Sequence, residues 1–136
     1  MRVVLDTNVL VSGLLSENGP PGWIVDLVLS GDLEPVVDNR ILAEYRDVLA
    51  RPELKLPKDF VARLLECLER ISLNVTAPPW KQALPDPDDE PFLAVAGHTD
   101  SILVTGNLKH YPPKARGGVR VLLPGEFLEG LRGSKD

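Results

Sequence analysis

Acidic and amide side chains stand beside apolar segments at four widely separated points of the sequence. Asp6 ends a short apolar run, and Asn107 follows a second one. Asp89 precedes an apolar pattern of helical spacing, and Glu44 lies at the edge of another. Carboxylates that meet in a fold repel one another unless a divalent cation neutralises them, and hard oxygen ligands suit Mg²⁺ or Mn²⁺. Water held by such a cation can act as the nucleophile in phosphodiester hydrolysis.

Strand-like and helical patterns alternate along the chain, and this alternation predicts how the four residues are positioned. Short apolar runs predict strands at residues 2–5, 33–37, 73–76, 101–105 and 119–123. Apolar residues at helical spacing fill most of the intervals. The predicted fold class is α/β, with a central, mostly parallel sheet and helices on both faces. Because the carboxyl ends of parallel strands share one edge, the four residues can meet in one crevice.

Capping residues, glycines and prolines predict the helix boundaries. Thr7 or Asn8 is predicted to cap the first helix by accepting a backbone N–H bond. Residues 17–22, with two glycines and two prolines, are predicted to form a loop. Phe60 is assigned to the buried face of a later helix, and a short final helix is predicted at residues 126–131.

Length and composition predict a single compact domain. The chain has 136 residues, of which 43% are hydrophobic, and we expect one domain over residues 1–131 and a disordered tail over 132–136. No apolar run approaches the roughly 20 residues of a membrane span, and the N-terminus lacks the pattern of a signal peptide. The lone Cys67 suits a small core residue better than a disulfide partner. These features predict a cytoplasmic protein.

Charge is unevenly distributed along the chain. The net charge is −5, with −8 over residues 1–106 and +3 over residues 107–136. A net negative charge argues against broad electrostatic capture of nucleic acid. An acidic body beside a basic tail fits a metal-binding carboxylate cluster next to a phosphate-contacting segment, and it equally fits an ordinary solvated surface. Charge alone does not decide between them.

Four segments resemble the successive motifs of PIN domains, and more narrowly those of VapC-like toxins of toxin–antitoxin systems. The segments are VLDTNVLVSG at 4–13, LAEYRDVL at 42–49, DPDDEPFLAVA at 86–96 and LVTGN at 103–107. The resemblance extends from residue 1 to about residue 128, with the motifs in the family's order. It implies a three-layer αβα domain with about five strands and an Mg²⁺- or Mn²⁺-dependent endoribonuclease that cuts single-stranded or structured RNA. It also implies a homodimer and a small antitoxin protein as partner.

The resemblance also implies which acids bind the metal and act in catalysis. The family's first acid falls on Asp6, the second on Glu44 and the third on Asp89. Asp88 competes closely for the third position, and Asp86 can contribute through the loop. The set of metal ligands is therefore open at this loop.

The family's fourth position falls on Asn107, where many relatives carry Asp. An amide oxygen can still bind a metal or hold a metal-bound water, but one negative charge is lost, which weakens a second metal more than the first. One or two metals remain possible, and the alternative function is a catalytically weakened PIN-like module that binds RNA or protein. Asp100 is the only nearby acid that can compensate, and we expect it in a structural turn.

Several further residues are assigned supporting roles. Thr105 is expected to position a water or the neighbouring carboxylate through its hydroxyl, and Asn8 and Asp88 are placed beside it in the site. Lys109 and His110 are expected to contact the RNA backbone. No feature of the sequence makes His110 a general base, and a surface turn histidine is the other interpretation.

Overall fold

The computed structural model describes residues 1–133, and residues 134–136 lie outside the described part of the chain. The strands are β1 Arg2–Leu5, β2 Glu34–Val37, β3 Leu73–Asn74, β4 Ile102–Val104 and β5 Val121–Leu122. The helices are α1 Thr7–Leu15, α2 Pro20–Leu29, α3 Asn39–Leu49, α4 Lys58–Ile71, α5 Glu90–Thr99 and α6 Pro124–Gly133. Short 3₁₀ turns occupy Pro52–Leu54, Pro87–Asp89, Leu108–His110 and Pro113–Ala115.

The five strands form one parallel sheet in the order β3-β2-β1-β4-β5. β1 is central, and its Val3 pairs with Pro35 of β2 on one side and with Ile102 of β4 on the other. The predicted mostly parallel sheet is confirmed. All five carboxyl ends therefore face one edge, where β1 and β4 lie side by side.

Both faces of the sheet are covered by helices. Successive strand residues point to opposite faces, and Val3, Val4 and Leu5 of β1 are all buried. The strand can be buried on both sides only if layers cover both faces, which is the three-layer αβα arrangement. Apolar residues of all six helices complete the core, among them Val9, Leu10, Ile24, Val28, Ile41, Leu49, Leu64, Leu68, Phe92, Leu93 and Phe127.

Two local predictions are wrong. Helix α2 begins at Pro20, inside the predicted loop at residues 17–22, because proline fits the first turn of a helix, where its missing N–H has no partner. The glycine and proline cluster therefore starts a helix after a short bend. Phe60 is 39% exposed, and the neighbouring Val61 takes the buried position on α4.

Helix α6 is longer than predicted at both ends. It begins at Pro124, another proline in a first turn, and it extends to Gly133. Residues 132 and 133 of the predicted tail therefore lie in α6, and the rest of that prediction concerns residues outside the described part. None of the helices within residues 1–133 is long and apolar enough to cross a membrane.

Helices α1 and α2 pack closely at Gly13. A Cβ atom added at this buried glycine would lie 2.6 Å from Val25 Cγ2 and 2.8 Å from the carbonyl oxygen of Pro21. The second contact is with backbone, which cannot move aside as a side-chain end can. The absence of a side chain at Gly13 therefore sets the distance between the two helices.

We expect Gly13→Ala to lower the free energy of unfolding by about 1–3 kcal/mol, because the added methyl group overpacks the α1–α2 contact. Urea denaturation measures this. The matched control is Gly130→Ala in α6, where an added Cβ would meet no atom within 4 Å. The control should be as stable as the wild type or slightly more so, since alanine favours the helix. A Gly13→Ala protein of wild-type stability would contradict the close approach.

Candidate active site

Asp6 lies at the carboxyl end of the central strand and directly precedes α1. Its N–H donates to the carbonyl oxygen of Val104 in β4 (2.9 Å), and its carbonyl oxygen accepts the N–H of Val9 (3.0 Å). Asp6 is the N-cap residue of α1 in extended conformation, but its side chain makes no capping hydrogen bond. The backbone is thus fixed by the sheet and the helix, and the buried carboxylate points into the crevice at the sheet edge.

The prediction that Thr7 or Asn8 caps α1 is wrong. Thr7 is the first residue of the helix, and its hydroxyl donates to the carboxylate of Glu44 on α3. The side-chain oxygen of Asn8 accepts the N–H of Gly106 after β4 (2.9 Å). Both side chains bond to neighbouring elements instead of their own helix, so they tie α1 to the walls of the crevice.

Two hydroxyl groups hold the carboxylate of Asp6. Thr105 Oγ1 and the Tyr111 hydroxyl each donate to Asp6 Oδ2, both at 2.9 Å. Thr105 and Tyr111 are fully buried. The sequence predicts that Thr105 positions a water or the neighbouring carboxylate, and its hydrogen bond to Asp6 is the second of these two contacts. Tyr111 was missed, because a tyrosine in a proline-rich turn carries no sequence signal that directs its hydroxyl to a residue 105 positions away.

Burial raises the pKa of the Asp6 carboxyl above its ordinary value. Hydrogen bonds from Thr105 and Tyr111, a backbone bond from Thr7 and the charge of His110 each lower this pKa, but they do not cancel the effect of burial. The charged form of Asp6 is therefore incompletely stabilised by the protein alone. A bound cation would supply the missing stabilisation.

Asp89 approaches Asp6 from the start of α5. It is 8% exposed, and burial first, then the charge of Asp6, raises the pKa of its carboxyl to about 6. Asp89 Oδ2 lies 3.2 Å from His110 Nδ1 but has no partner in hydrogen-bonding geometry within residues 1–133. One ligand atom each from Asp6, Asp89 and His110 lies within 4.8 Å of the other two.

Glu44 lies at the border of this group. It is half-buried on α3 and accepts the hydroxyl of Thr7, and its carboxylate is outside the set of atoms that lie within 4.8 Å of one another. Burial raises the pKa of Glu44, and the negative charge of Asp6 raises it further. Glu44 therefore contributes to the negative potential of the crevice.

Asp86 and Asp88 remain on the exposed side of the acidic loop. The Asp86 carboxylate accepts the N–H of Asp88 (3.0 Å) and so caps the 3₁₀ turn that leads into α5. Both residues are exposed, whereas Asp89 is buried. Their charges still raise the pKa of Glu44. Of the three aspartates in the loop, Asp89 is thus the one brought close to Asp6.

Asn107 and Asp100 occupy two different turns around β4. The side-chain oxygen of Asn107 accepts the N–H of the exposed Lys109 (3.1 Å), so the amide caps a 3₁₀ turn. Asp100 ends α5 in a left-handed conformation (φ 52°) before β4 begins. It therefore lies at the amino edge of the sheet, away from the crevice, which agrees with the expected structural turn.

A polar chain ties the acidic loop to α3 and to the loop after β4. Arg40 pairs with Asp38 and with Glu90, both at 2.8 Å. Glu90 also accepts the N–H of Trp80 (2.7 Å), and the Trp80 indole donates to the carbonyl oxygen of Ala115 (2.7 Å). Glu90 directly follows Asp89, so these contacts hold Asp89 in the crevice.

The donors in the crevice fit a divalent cation. Asp6 and Asp89 offer carboxylate oxygens, His110 offers an imidazole nitrogen, and the Asp89 oxygen is buried without a hydrogen bond from the described residues. A buried, unpaired carboxylate oxygen is costly unless a cation binds it. The three residues can therefore hold a metal ion, with Glu44 beside them.

Comparison with known families agrees with this geometry. The family model described as PIN domain matches residues 2–109. The chain belongs to the PIN domain family. The resemblance to PIN domains inferred from the sequence motifs is thereby confirmed. PIN domains are generally nucleases and typically use divalent metals, and the matched range includes Asp6, Glu44, Asp89 and Asn107.

Individual proteins similar to this PIN domain are distant in sequence. Uncharacterized protein MJ1680 of Methanocaldococcus jannaschii is 28% identical over 110 residues, which cover 79% of this chain and 71% of that protein. The structure of FitAB bound to the IR36 DNA fragment has a TM-score of 0.63 and 19% identity, over 90% of this chain and 94% of that one. The structure of VapBC2 from Rickettsia felis bound to a DNA fragment from their promoter has a TM-score of 0.61 and 14% identity, over 90% of this chain and 98% of that one. The structure of FitAcB from Neisseria gonorrhoeae has a TM-score of 0.56 and 20% identity, also over 90% of this chain and 98% of that one. These likenesses show a shared fold.

We expect Tyr111→Phe to destabilise the protein more as pH rises. Without this hydroxyl, the pKa of the buried Asp6 carboxyl increases further, so the folded state loses stability as Asp6 ionises. The loss should reach about 1–3 kcal/mol near neutral pH in chelator, as for a hydrogen bond to a charged group. Urea unfolding between about pH 4.5 and pH 7.5 measures it. Tyr45→Phe is the control, because the Tyr45 hydroxyl donates to the carbonyl oxygen of Leu5 (2.6 Å), which does not titrate. Equal pH dependence in both variants would contradict the role of Tyr111.

The raised pKa of Asp89 predicts a second pH effect. The folded state holds the Asp89 proton up to about pH 6, whereas the unfolded state releases it near 3.8. The contribution of Asp89 to stability is therefore full below this window and is lost as pH rises through it. In chelator, the free energy of unfolding of Asp89→Asn should increase by about 1–2 kcal/mol relative to that of the wild type as pH rises from 3.8 to about 6. The control is Asp100→Asn, which makes the same chemical change in an exposed turn at the amino edge of the sheet. A flat Asp89→Asn profile in urea unfolding would refute the prediction.

Proposed function

We propose that this PIN domain is a metal-dependent endoribonuclease and the toxin component of a toxin–antitoxin pair. The observation that carries the proposal is the buried approach of Asp6 to Asp89, with a carboxylate oxygen left unpaired by the described residues. The nuclease is one PIN-like domain over residues 1–131, and its proposed location is the cytoplasm. Membership of the PIN family supports the interpretation of this site as that of a nuclease.

The proposed catalytic residues are Asp6, Glu44 and Asp89, which act with Mg²⁺ or Mn²⁺. A divalent cation held by these carboxylates would supply Lewis-acid activation of water for phosphodiester hydrolysis. Thr105 keeps the Asp6 carboxylate oriented, and Thr7 does the same for Glu44. The two hydroxyl groups reduce the side-chain reorganisation that substrate binding would otherwise require.

RNA is the proposed substrate, in single-stranded or structured form. The net negative charge limits nonspecific attraction to the phosphate backbone, so binding must depend on the crevice and its rim. Lys109 is exposed beside the crevice, and His110 is partly exposed within it. Both are proposed to contact the RNA, with Asn107, Asp88 and Asn8 as supporting residues.

A small antitoxin protein is the proposed partner, and a homodimer the proposed assembly. The likeness of fold to FitAB and VapBC2, which are described as bound to DNA fragments, supports an antitoxin partner. Neutralisation by such a protein would need to block the crevice or the approach of RNA to it.

We expect Asp6→Asn to reduce Mn²⁺-stimulated RNA cleavage to the rate of the wild type in chelator. Asparagine keeps an oxygen that accepts from Thr105 and Tyr111, so thermal unfolding in chelator should be unchanged or improved by the loss of a buried charge. Cleavage of end-labelled single-stranded and hairpin RNA measures activity. The control Asp100→Asn makes the same chemical change at the amino edge of the sheet, where asparagine tolerates the left-handed turn. Retained cleavage in Asp6→Asn would refute the assignment.

The second candidate is a catalytically weakened module that binds RNA or protein. The observation in its favour is that the side-chain oxygen of Asn107, where the family resemblance implies an acid, already accepts the N–H of Lys109. RNA binding by the wild type without cleavage in Mg²⁺ or Mn²⁺ would support this second candidate. Metal-stimulated cleavage that is lost in Asp6→Asn excludes it.

A further inference from the structure

His110 extends the carboxylate site with a nitrogen donor. The 3₁₀ turn Leu108–His110 brings its ring into the crevice, and the next residue, Tyr111, is anchored on Asp6. His110 Nδ1 lies 3.2 Å from Asp89 Oδ2, and ligand atoms of Asp6, Asp89 and His110 lie within 4.8 Å of one another. The histidine is thus part of the cluster rather than an ordinary surface turn residue.

The contact between His110 and Asp89 does not by itself satisfy the buried carboxylate. Asp89 is 8% exposed, and its Oδ2 atom has no hydrogen-bond partner within residues 1–133 in spite of the short distance to Nδ1. An imidazole nitrogen and a carboxylate oxygen that face each other off the hydrogen-bond direction can instead share a cation. Two atoms bound to one such cation at about 2.1 Å are roughly 3–4 Å apart, so only small side-chain rotations are needed.

We propose that His110 is a metal ligand and that the site formed by Asp6, Asp89 and His110 selects a divalent transition metal over Mg²⁺. Mg²⁺ binds oxygen ligands and loses its waters reluctantly, whereas imidazole suits Co²⁺ and Zn²⁺ and is accepted by Mn²⁺. The proposal uses the same site as the proposed ribonuclease and deepens it by naming the class of metal. It does not require that RNA is the substrate.

A different role for His110 makes the opposite prediction. If His110 is a cationic partner that neutralises Asp89, removal of the ring leaves an uncompensated carboxylate. Every divalent cation, Mg²⁺ included, would then bind more tightly. If His110 is a ligand, its removal weakens the transition metals selectively.

Isothermal titration of the full chain with Co²⁺, Mn²⁺ and Mg²⁺ near pH 7.5 separates these roles. For His110→Ala we expect about a tenfold or greater loss of Co²⁺ affinity, a smaller loss for Mn²⁺ and less than about a twofold change for Mg²⁺. The visible absorption spectrum of bound Co²⁺ should also change, because a nitrogen ligand is lost. The control is His98→Ala, an exposed histidine on α5, and it should behave as the wild type.

Unchanged Co²⁺ affinity in His110→Ala, or a parallel gain for all three metals, would overturn the proposal. Thermal unfolding of each variant in chelator checks that the fold is intact, which is expected because 42% of the His110 side chain is exposed. These titrations contain no RNA. Selective metal binding without RNA cleavage would therefore refute the proposed ribonuclease and support the role of His110. RNA cleavage without selective metal binding would support the ribonuclease and refute the role of His110.

Discussion

The arrangement of the site depends on a buried carboxylate at the end of the central strand. Asp6 continues β1, which is paired on both sides, so its backbone cannot move without breaking the sheet. Burial of an unpaired charge is unfavourable, and Thr105 and Tyr111 compensate only partly by donating to one of its oxygens. The neighbouring side chains in the crevice either donate hydrogen bonds to this carboxylate or can bind a cation together with it.

The other acids increase this electrostatic cost. The charge of Asp6 raises the pKa values of Asp89 and Glu44, and the charge of His110 offsets only part of this effect at Asp89. A metal that binds the folded state and not the unfolded state would relieve this repulsion and stabilise the protein by mass action. Stability and function are thus opposed in the metal-free protein, as is common at sites arranged for catalysis.

Contacts outside the crevice keep the repelling acids together. The ion pairs of Arg40 with Asp38 and Glu90, and the hydrogen bonds of Trp80, attach the acidic loop to two neighbouring elements. Gly97 and Gly117 leave room for the indole ring, since a Cβ atom at either would lie within 3.0 Å of it. The loop has little regular structure, so its position depends on these side chains.

The sequence by itself determined the α/β fold, the parallel sheet and the location of Asp6 and Thr105, because alternating apolar patterns and strand ends are local features. Only the tertiary structure decided which loop acid lies beside Asp6, and that Tyr111 and His110 reach the same crevice. Those contacts join Asp6 to residues 83 to 105 positions farther along the chain through irregular segments, whose paths depend on packing and not on periodicity. The caps predicted at Thr7 and Asn8 failed for the same reason, since hydrogen bonds to other elements replaced the local ones.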